Sequence, residues 1–508
     1  MLALASRFAT AGRMIRHTAF AAILALCLAG CGARDDADVA VGVIGADESL
    51  YATGLRFGEA AGHLRAATMD GLVGFDEYGR VVPALADRWI VTDDGTSYIF
   101  RLRDGNWGDG SELTSASVKQ ALDQRIAALE GTTLGRDLAI VRDVRAMAAR
   151  VVEIRLRAPM PEFLALVAQP ELTLSKGGEA RGQMILNQVE GGATLAITAP
   201  ALLGQPQADN WGAFTRPVTL RTTTAEEGVT AFDDGLIDVL LGGTLADLPL
   251  APTGPLSQGT VRIDPGYGLF GLRIRRLAGV LADADQREAL AMAIDRDTLI
   301  EPFGLGGWEA RTGIVPPPPG TDAVAAAEAG LTLEAAWADF PIEERRTIAA
   351  RRIATWRAEN GGSRPLVAIY LPEGSGMDLI YSQLTRDFAA IGVAATRAQR
   401  PAEADLVLVD RTARYSDPRW FVNQFACQAA RLPCSEDADT LVEASLVADG
   451  AERRAALLEA AQQRLAEAHL FIALGQPVRW SLARGSVTGF APNARAFHPL
   501  PPLARIPR

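Results

Sequence analysis

The chain has 508 residues, with 50 basic and 61 acidic side chains and a formal net charge of −11. That length exceeds what one hydrophobic core serves, so two or more lobes are expected. The acidic balance excludes the broad basic face that a nucleic-acid partner needs.

The first thirty residues read as a targeting segment. Arg7, Arg13 and Arg16 precede an apolar run over 18–28, and small residues lead to Cys31. Charge, apolar run and small residues in that order make a secretory signal. The run is too short to span a bilayer as a mature helix. The tetrad Leu28-Ala29-Gly30-Cys31 resembles the bacterial lipobox, which implies lipidation of Cys31 after cleavage before it. The alternative is an ordinary signal peptide that happens to contain a cysteine. Met14 would also open a complete signal. Residues 31–38 then read as a polar tether. Taking away residues 1–30, which hold three arginines and no acid, leaves 47 basic against 61 acidic residues, a net of −14.

Strands and helices alternate from there on. Tyr98, Phe100 and Leu102 alternate with Arg101 and Arg103, the period of a half-buried strand. Val118, Leu122, Ile126 and Leu129 recur at helical spacing, with Ser117 and Gln120 placed as a capping box. Val152, Ile154 and Leu156 predict another strand. The four prolines over 316–319 mark a loop or hinge. A βαβ pattern follows: a strand over 366–371, a helix with Met377, Ile380, Leu384, Phe388 and Ile391 on one face and Gly392 at its end, and a strand over 405–410. A helix over 451–468 and a strand over 470–474 come last.

The chemistry of catalysis is missing from this pattern. There is no G-x-S-x-G elbow, no Walker A motif and no G-x-G-x-x-G after a strand. The glycines at 304–307 read as a turn, and Asp93-Asp94 and Asp233-Asp234 as solvated turn acids. His63, His469 and His498 are scattered, so neither a metal nor a cofactor is expected. Cys427 and Cys434 lie close together in an exported chain, which favours a disulfide over two free buried thiols.

Three stretches carry a resemblance. The first runs over 70–122, with Gly71-Leu72, Pro83-Ala84-Leu85-Ala86 before Trp89, Asp94-Gly95 before a strand, and Asp109-Gly110 before a helix. The second is "LADADQREALAMAIDRDTLI", with Asp283, Arg287, Ala289, Ala293, Ile294, Asp295 and Arg296 in place. The third is "ARYSDPRWFVNQFAC", with Tyr415, Asp417-Pro418, Phe421, Phe425 and Cys427. Together they resemble the extracytoplasmic solute-binding proteins of ABC importers of the peptide/nickel type, family 5. The resemblance implies a periplasmic-binding-protein-like α/β fold: two α/β lobes joined by a hinge, with a third subdomain inserted. The expected division is lobe I over 39–275 plus 475–508, the insertion at about 65–185 within it, and lobe II over 276–474. It further implies a monomer that closes over a peptide or other small solute between the lobes and docks on ABC permease subunits. Bottom-up, the same motifs read as scaffold: Asp94-Gly95 as a hairpin turn, Trp89 as core, and Asp283 with Arg287 as a pair on a helix surface.

The chain also departs from that family. The usual Gly-Thr-Gly-Pro segment is absent between Val151 and Gln205, and the asparagine often found near Arg273 is missing. Peptide-binding members carry an acid, which holds the ligand's ammonium, where this chain has Arg414, and Arg411 stands where an aromatic is common. An arginine repels an ammonium group and binds carboxylate or phosphate through a two-point fork. Either Arg414 faces the cleft and the ligand presents an anion, or Arg414 turns outward or pairs with Asp410 or Asp417. The candidate ligand residues are therefore Arg411, Arg414, Tyr415, Asp417 and Trp420, with core packing the competing role for Trp420. The functional expectation is a lipid-anchored, non-enzymatic receptor outside the cytoplasm. The alternative is a sensor or interaction protein on the same fold.

Overall fold

The computed structural model describes residues 38–45, 49–52, 54–251, 260–317, 321, 333–430 and 432–507. Cys31, the apolar run before it and Pro318 and Pro319 lie outside the described residues.

The chain enters at β1 (Val39–Ile44), whose VAVGVI sequence is buried along most of its length, as a central strand requires. Helix α1 (Glu59–Thr68) follows. A small pair, β2 (Val73–Phe75) and β3 (Val81–Pro83), opens the insertion. The insertion then builds β4 (Ala86–Val91), β5 (Ser97–Leu102), α2 (Ser115–Ala128), α3 (Thr133–Leu138), β6 (Val141–Ala148) and β7 (Val151–Leu156). The first sheet resumes with β8 (Met184–Val189), β9 (Gly192–Ile197), β10 (Val218–Thr223), β11 (Val239–Thr244) and β12 (Val261–Asp264). The chain crosses into β13 (Gly268–Ile274), then β14 (Leu366–Tyr370), helix α4 (Ser375–Ala390), β15 (Ala394–Arg397) and β16 (Leu406–Thr412). Helices α5 (Pro418–Asn423), α6 (Glu436–Ser445) and α7 (Ala451–Glu467) lead to β17 (Phe471–Gly475). The chain returns to the first sheet at β18 (Arg479–Ala483).

Among the described residues these strands make three sheets of four or more strands. One has seven strands in the order β12-β18-β11-β1-β10-β9-β8, one has five in the order β15-β14-β16-β13-β17, and the inserted one has four in the order β4-β5-β7-β6. Two crossings join the large sheets, one between Asp264 and Gly268 and one between Gly475 and Arg479. Sheet membership therefore changes at Gly268, a few residues before the 275/276 boundary drawn from the sequence. The βαβ reading also needs correction. Helix α4 leads first to β15, a short edge strand paired parallel to β14, and β16 then returns on the other side of β14. With one charged and one hydroxyl residue among its four, β15 lacks the alternation that would mark it.

Two local expectations move. The cap of α2 is Thr114, whose hydroxyl accepts from the Ser117 amide in a capping box, so the helix starts earlier than the Ser117–Gln120 pair suggests. Arg287 does not pair with Asp283. It is buried and donates to the carbonyls of Leu281, Ala282 and Ala468, tying its helix to the segment before β17. A guanidinium offers five donors, so it satisfies several stray carbonyls where one carboxylate pair would not.

The insertion is not an independent bead. One apolar core runs from Phe100, Leu122 and Leu138 in the insertion to Tyr415, Trp420, Phe421 and Phe471 in the second lobe. Fully burying a side chain of this kind stabilises by about 2–3 kcal/mol, so the seam between the two bodies is a strong one.

Candidate functional site

The loop after β16 begins where the neighbouring β13 enters from the first lobe. Gly268 pairs with Thr412 and Leu269 with Arg411. A Cβ on Gly268 would collide with the Arg411 carbonyl, so glycine is required for the crossing strand to pass this closely. The site is thus set at the carboxyl end of a central strand, beside a crossing between lobes.

Residues 410–414 are pinned from the first lobe on both sides. Arg479, at the start of β18, donates to the Asp410 carboxylate at 2.7 Å. Arg495 donates to the Arg414 carbonyl at 2.8 Å. The segment carrying Arg495 is itself fixed to β12, because the Asn493 amide donates to Asp264. Burial opposes the charge on Arg479, but Asp410 and Glu59 more than offset it and leave Arg479 above the ordinary arginine value.

Arg414 takes neither of the partners offered by the sequence. Asp410 is engaged by Arg479, and Asp417 caps α5 through the Arg419 amide at 2.8 Å. Arg414 instead pairs at 2.9 Å with Glu171 of the insertion. Burial works against the Arg414 charge, and Glu171 outweighs it, so its pKa is raised. Arg411 stays exposed, and its guanidinium donates to the neutral Gln424 side chain at 3.1 Å. Desolvation by the surrounding loop and the nearby Arg414 charge lower its pKa.

Trp420 and Tyr415 are buried in packing. Trp420 is 1% exposed and stacks edge-on with Phe421 at 4.9 Å between ring centres. Tyr415 is also 1% exposed and donates its hydroxyl to Asp137 at 2.9 Å. Asp137, from α3, is fully buried and receives a second hydrogen bond from Asn423 at 2.7 Å. Arg419 donates to the carbonyls of Arg136 and Asp137. Burial raises the Asp137 carboxyl to about 6 against the opposing pull of Asn423, Arg419, Arg414 and Tyr415. Burial also raises Asp417 above the usual carboxylate range. Tyr415 and Asp417 also line a cavity of about 360 Å³ that opens between Met160 of the insertion and Leu458 of α7.

Cys427 and Cys434 form a disulfide with their Cα atoms 5.1 Å apart. Asp439 ties that loop down, accepting from the Cys427 amide with one oxygen and from Arg136 with the other. Among the described residues, no three His, Cys, Asp or Glu side chains cluster as a metal site would require, and no helix is long and apolar enough to cross a membrane.

Asp137, Glu171, Gln424, Arg479 and Arg495 were not legible as site residues. All but Gln424 reach the loop from another part of the chain, and no spacing in the sequence announces any of them. Arg273 had one signal, the absence of an expected asparagine.

Comparison with known proteins is consistent with this architecture. Residues 80–204 match the middle region of bacterial extracellular solute-binding proteins, family 5. A probable deoxycholate-binding periplasmic protein of Escherichia coli, YgiS, is 35% identical over 121 residues, which are 20% of this chain and 23% of that protein. A probable di/tripeptide-binding protein 5 of Pseudomonas aeruginosa is 23% identical over 485 residues, covering 84% of this chain and 87% of its own. The crystal structure of Haemophilus influenzae OppA in complex with RPPGFSPFR superposes with a TM-score of 0.75 at 16% identity, covering 92% of this chain and 99% of that one.

Proposed function

We propose that this chain is a family 5 bacterial extracellular solute-binding protein that captures a small solute between its two lobes and delivers it to the membrane permease of an ABC importer. The first lobe is built on the seven-stranded sheet and the second on the five-stranded one, with the inserted subdomain between. The observation that carries this reading is the loop over 410–417. It ends a central strand of one lobe and is gripped by Arg479 and Arg495 of the other and by Glu171 of the insertion. A loop held from three bodies registers their relative position, which is what closure over a ligand demands. The protein acts by binding, not by catalysis.

The location outside the cytoplasm follows from the family. The finer reading is attachment to a membrane through lipid on Cys31, supported by the order of charge, apolar run and tetrad before it. The ligand class also belongs to the proposal. Relatives are named for deoxycholate and for di- and tripeptides, so the fold does not fix the solute.

Native mass spectrometry of the form starting at Gly32, purified without refolding, tests the receptor function. A discrete mass that is lost on denaturation supports capture. A bare protein mass, together with no heat-stability shift across a panel of peptides and organic acids, overturns it. Labelling with radioactive palmitate tests the anchor: label lost in Cys31→Ala supports it, and label retained or never present overturns it.

A further inference from the structure

Arg273 sits on β13 and is 6% exposed. One of its terminal nitrogens donates to the Gln424 carbonyl at 2.6 Å. Its Nε and its other terminal nitrogen are buried with no hydrogen-bond partner. Its guanidinium also lies over the Phe425 ring, 5.0 Å from the centre. Arg411, on the adjacent β16, donates to the side chain of the same Gln424. The two arginines therefore converge on one neutral residue. Their charges act on each other: burial and Arg411 bring Arg273 down to about 10. The acids around this loop are engaged elsewhere: Glu171 by Arg414, Asp410 by Arg479, Asp417 as the cap of α5, and Asp137 by Tyr415 and Asn423. A guanidinium buried without a counter-charge is strongly unfavourable, and unmet buried donors add to that. An aromatic face recovers only part of it.

We propose that Arg273 and Arg411 form an anion subsite of the interlobe cleft, and that the solute captured there presents a carboxylate or phosphate group to them. The location supports this. Arg411 stands between Asp410 and Arg414, both of which are bonded to the first lobe, so a group bound to Arg411 lies where the lobes meet. Arg273 holds two buried donors with no partner, and the exposed Arg411 beside it is open to solvent. A planar guanidinium pair matches an oxyanion by charge and by fork geometry. The subsite repels a free ammonium group, because like charges oppose each other strongly away from water. The inference rests on the receptor reading and deepens it by naming the ligand class.

Three probes separate the alternatives by isothermal titration: N-acetyl-dialanine, which has a carboxylate and no ammonium, dialanine amide, which has the reverse, and inorganic phosphate. The proposal expects binding of the first or the third and none of dialanine amide. A carboxylate source shows as N-acetyl-dialanine binding alone, a phosphate source as phosphate binding alone. Arg411→Gln is expected to weaken that binding at least tenfold. Arg273→Met is expected to abolish it while raising the melting temperature of the empty protein, because the orphaned charge is gone. Native mass spectrometry of both variants separates the two levels of the reading. A solute that co-purifies equally with wild type, Arg411→Gln and Arg273→Met leaves the receptor intact and overturns the anion subsite. So does tighter binding of dialanine amide than of the two anions, or a melting temperature that falls in Arg273→Met. Loss of every ligand in wild type itself overturns the receptor reading, and the subsite with it.

Discussion

Arg414 and Glu171 lie 243 positions apart in the chain and meet at 2.9 Å, joining the loop after β16 to the inserted subdomain. Neither is held by its own element. Glu171 sits on a single 3-10 turn, Pro170–Leu172, and Arg414 on an irregular segment. The pair exists only while the insertion and the second lobe are docked. It gives Arg414 an acidic partner, whereas Arg411 bonds the neutral Gln424.

Glu171→Ala is expected to strand Arg414 in a partly buried position and loosen the seam. The cost is about 1–3 kcal/mol of stability, the range for a partly buried pair broken on one side. Small-angle scattering should show a larger radius for the unliganded variant. The double variant Glu171→Ala with Arg414→Ala should recover part of the loss, because no orphan charge remains. No change in radius or melting temperature for the single variant would contradict a fastening role.

Asp137 gives the seam a pH dependence with a definite sign. Burial raises its carboxyl to about 6 from an ordinary value of 3.8, so the protonated form is the one the docked arrangement prefers. This contribution is fully present below about pH 4 and is lost as pH rises through about 6. The shift corresponds to about 3 kcal/mol. Asp137→Asn keeps the acceptor for Tyr415 and Asn423 and removes the titration. The melting-temperature difference between this variant and wild type should grow from pH 4 to pH 7 in favour of the variant. A difference that stays flat, or grows in favour of wild type, would show that Arg419 and Arg414 stabilise the ionised form more than burial opposes it.

Gly268→Ala tests the crossing. The added methyl meets the Arg411 carbonyl in the paired strand, and backbone on both sides must move. Overpacking of this kind costs about 1–3 kcal/mol. The same displacement moves Arg411, so ligand affinity should fall together with the melting temperature. Unchanged stability would mean that the strands separate without penalty.

Reduction of the Cys427–Cys434 bond opens a short loop that precedes α6. A loop of this length contributes about 2–3 kcal/mol by restricting the unfolded chain. Cys427→Ser with Cys434→Ser should lower the melting temperature and remove its sensitivity to reductant. An identical melting temperature with and without reductant in wild type would contradict that.

Several of the elements can be read from the order of residues, and the fold class from the family resemblance. Alternation in Tyr98-Phe100-Leu102 and Val152-Ile154-Leu156 placed two strands of the insertion, and helical spacing from Met377 to Ile391 placed α4. These signals are local, because a strand or helix writes its buried face into residues two, three or four apart. The short edge strand β15 left no such trace. Which charges are answered, by contrast, depends on the folded arrangement. Arg414 has acids near it in sequence, yet Asp410 goes to Arg479, Asp417 goes to a helix cap, and Glu171 arrives from the insertion. The same holds for Tyr415 and Trp420, which become core, and for Arg273 and Arg411, which share the neutral Gln424. Periodicity records which side of an element is buried. Ion pairing depends on which elements the fold brings together, and no spacing along the chain encodes that.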